Sequence, residues 1–106
     1  MYIVNEYEMF DAARDSRPRE ACGLVYGDRA YVVDNVAHRG TEFFIMDLER
    51  QRELWEQHGR PDAVWHSHPN DDPEPSQSDL AYHPPGVRML IVAGGRVHDH
   101  GYPTGS

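Results

Sequence analysis

Apolar and polar positions follow two different periods along this chain, and the two periods predict both helices and strands. Apolar residues at helical spacing predict a short helix over residues 6–14, which Pro18 prevents from continuing. Segments rich in β-branched, aromatic and small apolar residues predict strands over residues 21–26, 30–36, 41–45, 63–68, 88–93 and 96–102. This mixture predicts an α/β domain in which a mixed β-sheet is flanked by helices.

A second helix is predicted over residues 47–58, because Asp47 is a good N-cap, the following residues favour helix and Gly59 can end it. The tryptophans, Trp55 and Trp65, are expected in the core, since large aromatic side chains usually fill the largest buried surface available. Glycine-containing turns at residues 27–29 and 94–95 predict two hairpins.

Composition limits the classes of function that need to be considered. With 106 residues, the chain is expected to form one domain with one core, and no apolar run approaches the length of a membrane span. The net charge of −8 and the lack of clustered Lys and Arg argue against a nucleic-acid partner. Residues 1–6 lack the features of a signal peptide, so a cytoplasmic location is expected, and the last residues, 103–106, are expected to fray.

The most informative stretch follows the predicted strand over residues 63–68. Successive strand residues point to opposite faces, so His66 and His68 should project together while Ser67 points away. Two imidazoles on one strand can provide half of a tetrahedral zinc site. Asp79 can supply a third ligand, because the intervening segment is rich in Pro, Asp and Asn and should turn the chain back, and the fourth position would stay open for water.

Ser76 has a structural interpretation as well as a catalytic one. The sequence Ser76-x-x-Asp79 before Leu80 resembles a capping box with Asp in place of Glu or Gln, and predicts a short helix ending near His83. The two interpretations are compatible. A cap at Ser76 would place Asp79 in the first helical turn, directed back towards the histidines.

These residues resemble the signature of the JAMM metallopeptidases, also called the MPN-plus or JAB domain. The family couples the His-to-Asp stretch to an upstream glutamate, and Glu20 is the first residue of a Glu-x-x-Gly-Leu sequence of the family's kind. Asn35, the aromatic pair Phe43-Phe44 and Asp47 also follow the family's order. The resemblance implies a JAMM-like (cytidine-deaminase-like) α/β domain over residues 1–106, in a C-terminally short version.

The resemblance also implies a function and a role for each site residue. It implies a zinc metallopeptidase with one Zn²⁺ per chain, held by His66, His68 and Asp79. Glu20 would be the general base, and the Ser76 hydroxyl would hydrogen-bond the oxyanion. The substrate would be a peptide or isopeptide bond, for example at the C-terminal tail of a ubiquitin-like or sulfur-carrier protein. Phage tail-assembly peptidases and metal-free MPN scaffolds remain alternatives.

Other chemistry-bearing residues are expected to have structural roles. Cys22, the lone cysteine, is a candidate nucleophile, but its apolar neighbours favour a buried thiol that could at most tune the site. His98 and His100 repeat the His-x-His spacing without a third ligand nearby, so they are expected to be exposed on an edge strand. The same expectation applies to His38, His58 and His83.

Overall fold

A computed structural model describes residues 6–103 of the protein; residues 1–5 and 104–106, which include all but the first residue of the segment expected to fray, lie outside this range. In chain order the elements are α1 (Glu6–Ser16), β1 (Cys22–Tyr26), β2 (Arg29–Val33), α2 (Leu48–His58), β3 (Ala63–Ser67), α3 (Gln77–Tyr82), β4 (Arg88–Ala93) and β5 (Arg96–Asp99). The strands form one sheet in the order β2-β1-β3-β4-β5, in which β3 and β4 are parallel and the other pairs antiparallel. The predicted α/β fold with a mixed sheet is confirmed.

Helix α1 covers one face of the sheet. Met9 is its buried residue, and it joins a core cluster with Val25 of β1, Trp65 of β3 and Leu90 of β4. Because side chains alternate along a strand, the neighbours of Val25, Trp65 and Leu90 within their own strands face the opposite side of the sheet.

The opposite face is covered in part by α2. Leu54 packs there with Leu24 of β1 and Val64 of β3. His66 follows Val64 by two residues and therefore lies on this second face, beyond the apolar cluster. The sheet thus separates the α1 core from the histidine site.

Gly23 allows a side chain to cross strand β1. The Trp65 indole Nε1 donates a hydrogen bond to the Tyr31 carbonyl of β2 at 3.1 Å, passing over the intervening strand β1 at Gly23. A Cβ at Gly23 would overlap both the Tyr31 carbonyl and the Trp65 ring. Trp65 is fully buried, so its predicted core position is confirmed, and only glycine fits beneath it.

The predicted strand over residues 41–45 is wrong. Residues 41–42 are turn and residues 43–45 are irregular, and an isolated bridge joins Asn35 to Met46, the residue that follows the segment. The reason lies in the side chain of Asn35, which accepts hydrogen bonds from the backbone N–H groups of Ala37 and Ile45. A side-chain amide therefore replaces the neighbouring strand that the segment would otherwise need.

The predicted core position of Trp55 is also wrong. Trp55 is 45% exposed and Leu48 is 74% exposed, whereas Leu54 is fully buried. Neighbouring helix residues are about 100° apart around the axis, so a helix that contacts the sheet through a narrow stripe buries Leu54 and leaves Trp55 outside. No helix in residues 6–103 is long and apolar enough to cross a membrane.

Candidate metal centre

Strand β3 brings both histidines of the predicted pair to the same place. His66 is 1% exposed and His68 is 7% exposed, and their Nε2 atoms lie 3.2 Å apart. Although β3 ends at Ser67, the His68 N–H still donates to the Val92 carbonyl of β4 at 2.9 Å. The parallel neighbour therefore extends the rigid platform by one residue.

Asp79 reaches the histidines from the first turn of α3. The Asp79 N–H donates to Ser76 Oγ at 3.1 Å and the Ser76 N–H donates to Asp79 Oδ2 at 2.8 Å, which completes the predicted capping box. The same Oδ2 lies 3.0 Å from each of the two histidine Nε2 atoms. Asp79 thus caps its helix and faces the imidazoles with one oxygen.

The three converging atoms fit a small divalent cation. Their separations are 3.0, 3.0 and 3.2 Å, whereas ligand atoms about 2.0–2.1 Å from a tetrahedral ion lie roughly 3.3 Å from one another. Glu20 lies beside them, and one potential ligand atom from each of the four residues falls within 4.8 Å of the others. This buried Glu/His/His/Asp group could hold a metal ion.

The orientation of each imidazole has an identifiable cause. His68 Nδ1 lies 2.8 Å from the Asp72 carbonyl, so it carries the hydrogen and donates it, which leaves the Nε2 lone pair directed at the cluster. His66 Nδ1 is buried without a hydrogen-bond partner among residues 6–103. Its ring is instead stacked against Phe44, with centroids 4.6 Å apart and planes inclined by 28°. Phe44 therefore supports a candidate metal ligand by packing.

The protonation states of His66 and Asp79 suit a metal site, whereas a bound metal ion would have to displace the proton that the raised pKa of His68 favours. Burial lowers the pKa of His66, against the opposing effect of its hydrogen bond with Asp79. Burial alone would raise the pKa of Asp79, but hydrogen bonds with His66 and His68 hold it well below its usual range. Burial also opposes charge on His68, but hydrogen bonds to Asp79 and to the Asp72 carbonyl raise its pKa. A neutral His66 beside an ionised Asp79 is the combination that a metal ion requires.

Glu20 is placed by the pairing of β1 with β3. Cys22 lies opposite His66 in the antiparallel ladder, and beyond this pair the Ser67 N–H donates to the Ala21 carbonyl at 2.9 Å. The Ala21 N–H donates back to the Ser67 hydroxyl at 2.8 Å instead of to a backbone carbonyl. Ser67 therefore closes the ladder from the face opposite the histidines. Glu20, the residue before Ala21, lies beside the two histidines.

The Glu20 carboxyl has the environment of a base. It is 5% exposed, and its Oε1 has no hydrogen-bond partner among the described residues. Burial raises its pKa from 4.5 to about 7, opposed by the positive charge of His68 and reinforced by the negative charge of Asp79. A buried carboxyl whose pKa is close to neutrality can accept a proton and give it back.

Comparison with known proteins agrees with this geometry. The model of a family described as prokaryotic homologs of the JAB domain matches residues 6–102. The chain belongs to this family. The solution structure of protein DSY2949 from Desulfitobacterium hafniense is similar to the JAB domain described here: the TM-score is 0.64 at 27% identity, over 87% of this chain and 74% of that one. A search of curated proteins gives no match.

Two features of this JAB domain separate the two interpretations of Cys22, as a nucleophile or as a buried packing residue. The side chain is fully buried, and Sγ donates to the Val33 carbonyl at 3.3 Å. Burial, with smaller contributions from Glu20 and Asp34, raises the pKa of the thiol to about 12. A protonated, buried thiol is a poor nucleophile, so the structure supports the predicted packing role.

The other histidines of the JAB domain only partly follow the prediction. His38 and His58 are exposed as expected. The prediction is wrong for His83, which is 8% exposed and lies 2.6 Å from the Val87 carbonyl through Nε2. It is also wrong for His98 and His100, which are half-buried and contact the carbonyls of Ala93 and Pro73. Within residues 6–103 neither belongs to a second group of three metal-ligating side chains.

Sequence reasoning on this JAB domain missed the residues that support the site. Phe44 was noted for its position in the family's order, but its stacking on His66 has no local signal. The Ser67 hydroxyl and the Asp72 carbonyl act through non-local and loop contacts. The spacing of Ser67 between the two histidines does place it on the opposite face, which is the one clue that the sequence contains.

Proposed function

We propose that this JAB domain is a zinc-dependent metallopeptidase that hydrolyses a peptide or isopeptide bond. The observation that carries the proposal is the buried Glu20 carboxyl, whose Oε1 lacks a partner among the described residues and lies beside three converging ligand atoms. A purely structural site is satisfied by its ligands and has no use for an additional unpaired acid. A hydrolytic site needs such a group as its base.

The residues fit zinc in number and in chemistry. His66, His68 and Asp79 offer two imidazole nitrogens and one carboxylate oxygen, all of which zinc accepts. Three protein ligands are typical of catalytic zinc sites, whereas structural sites usually have four. One Zn²⁺ per chain follows from this proposal. Bound zinc supplies Lewis-acid chemistry, since it acidifies water and polarises a carbonyl group.

The side chains around the ligands perform the proton transfers. Glu20 takes a proton from the attacking water at its carboxylate and delivers it to the leaving amine, so the base becomes the acid of the second step. A pKa of about 7 for Glu20 before a cation binds is compatible with both directions of transfer. The Ser76 Oγ already accepts the Asp79 N–H, and its own hydrogen is the donor assigned to the oxyanion.

The substrate is part of the proposal. A protein or peptide chain, including the C-terminal tail of a ubiquitin-like protein, is the substrate that the JAMM resemblance implies. The acidic chain, with a net charge of −8, suits such a partner better than it suits a nucleic acid.

The test is hydrolysis of a mixture of peptides and isopeptide-linked conjugates, followed by mass spectrometry. Cleavage should need zinc, stop when a chelator removes the metal and return when zinc is restored. Cys22→Ala should remain active, because the buried thiol takes no part. Zinc-loaded protein that cleaves nothing would support the scaffold alternative, and cleavage that survives the chelator but is lost in Cys22→Ala would support thiol chemistry.

A further inference from the structure

The backbone of Glu20 is not held by the sheet. Strand β1 begins at Cys22, so Glu20 lies before the regular ladder. Its N–H donates to the Gly40 carbonyl at 2.6 Å, and its carbonyl accepts a hydrogen bond from the Asn35 side-chain Nδ2 at 2.9 Å. The sheet register fixes where the chain reaches Glu20, but the backbone of Glu20 itself is held by a loop and by one amide side chain.

The Asn35 amide connects many backbone groups at once. Its Oδ1 accepts hydrogen bonds from two N–H groups, those of Ala37 and Ile45, at 3.0 Å each. Its Nδ2 faces three carbonyls, those of Glu20 at 2.9 Å, Phe43 at 3.3 Å and Gly40 at 3.4 Å. The N–H groups on one side and carbonyls on the other fix which atom of the amide is oxygen. The bond to Glu20 is the shortest of the three.

The loop fixed by Asn35 also reaches the metal centre from a second direction. Phe44 lies between Phe43 and Ile45, both of which Asn35 bonds, and its ring stacks on His66. The Arg19 guanidinium holds the same region by donating to the backbone carbonyls of Asn35 and Ala37 at 2.7 and 2.9 Å. One amide thus links the segment that carries the base to the segment that packs on a ligand.

We propose that Asn35 is a positioning residue for the reaction of this site: its Nδ2 holds the Glu20 backbone, and through it the carboxyl, in register with the metal ligands. The inference rests on the proposed function, because it assigns Asn35 to the placement of the base. The side-chain hydrogen bonds of Asn35 go to backbone groups and not to the carboxyl of Glu20 or to the ligand atoms. Small displacements of a reacting group cost up to roughly 100-fold in rate, so this placement matters to turnover.

The decisive variant is Asn35→Asp, which keeps the Oδ1 acceptor and removes the Nδ2 donor. A matched control is Asn70→Asp, the same chemical change at an exposed loop residue whose Oδ1 accepts a hydrogen bond from the Asp72 N–H and would keep that acceptor as Asp. A second variant, Asn35→Ala, removes both halves of the amide without adding charge. All three should bind as much zinc as the wild type, because the ligands are unchanged.

Backbone hydrogen exchange reads the positioning without any substrate. In Asn35→Asp the Glu20 amide should exchange at least about 10-fold faster, while the Ile45 amide keeps its acceptor and its protection. In Asn35→Ala both amides should exchange faster, and in Asn70→Asp neither should change. Unchanged exchange at Glu20 in both Asn35 variants would overturn the proposal.

Turnover provides the second readout, with a peptide that the wild type cleaves. Asn35→Asp should lower kcat by roughly 10- to 100-fold with little change in KM. If Asn35 acts through Glu20, the double variant Glu20→Gln/Asn35→Asp should be no slower than Glu20→Gln alone. Losses that multiply would assign Asn35 a general structural role and contradict the proposal. If the wild type cleaves no peptide, the proposed function fails, whereas hydrogen exchange still decides whether Asn35 holds Glu20.

Discussion

Replacing Glu20 with glutamine tests the catalytic assignment in the most detail. The change keeps the size of the side chain and one carbonyl oxygen, but the amide cannot accept and return a proton. Glu20 is 5% exposed, and its Oε1 lacks a hydrogen-bond partner in the described part of the chain, so few contacts are lost. The substitution should therefore act on chemistry and leave the fold intact.

Glu20→Gln should leave zinc binding unchanged, because Glu20 lies outside the triangle of the three ligand atoms. His66 Nε2, His68 Nε2 and Asp79 Oδ2 approach one another to 3.0–3.2 Å without it. Zinc content should therefore stay near one ion per chain. Removal of a general base costs about 10²–10⁴-fold in rate, or roughly 3–5 kcal/mol in the barrier. The thermal midpoint should stay near that of the wild type, because glutamine also avoids the cost of burying a charge.

Three measurements on the same preparation separate the possible roles of Glu20. Elemental analysis gives the zinc content, thermal unfolding gives the midpoint, and cleavage of a peptide that the wild type hydrolyses gives the rate. Full activity in Glu20→Gln would remove Glu20 from the mechanism. Loss of zinc together with activity would instead make Glu20 a metal ligand.

Further predictions concern the residues and conditions around this base. Ser76→Asn should keep the N-cap and the stability but lower turnover by roughly 100-fold, which kinetics and thermal unfolding can check together; unchanged turnover in the folded variant would exclude the oxyanion role. Ser67→Ala should cost about 1–3 kcal/mol in urea unfolding, since it leaves the Ala21 N–H without its acceptor; a change below about 0.5 kcal/mol would contradict this. In metal-free protein the raised pKa of Glu20 means that the folded state binds more protons than the unfolded chain between pH 4.5 and about 7. The contribution of Glu20 to the free energy of unfolding should therefore be greatest below pH 4.5 and should be lost as the pH rises through about 7. Urea unfolding at several pH values should show this decrease in the wild type and a weaker pH dependence in Glu20→Gln.

Local patterns were sufficient for the part of the site that lies close together in sequence. The period of two along a strand places His66 and His68 on one face, and the spacing from Ser76 to Asp79 predicts a capping box. Both predictions are confirmed because these contacts depend on short stretches of backbone. The turn between them only needs to reverse direction, which its Pro, Asp and Asn residues favour.

The location of Glu20 could not be derived in the same way. It depends on the register of β1 against β3, in which Cys22 lies opposite His66, 44 residues later in the sequence. No spacing rule within one chain fixes such a register, so only the family resemblance indicated Glu20. The wrong strand over residues 41–45 has a related cause, because the non-local bonds of Asn35 take over its backbone groups.

The direct test of the metal centre is the zinc content of purified protein that has been stripped with a chelator, reloaded with zinc and desalted. The wild type should hold about one zinc per chain. His68→Ala should hold almost none, while His38→Ala, a change at an exposed histidine, should bind as the wild type does. A wild-type protein that holds no zinc after reloading, or a His68→Ala variant that still holds one ion per chain, would contradict the assignment of His66, His68 and Asp79 as the metal ligands.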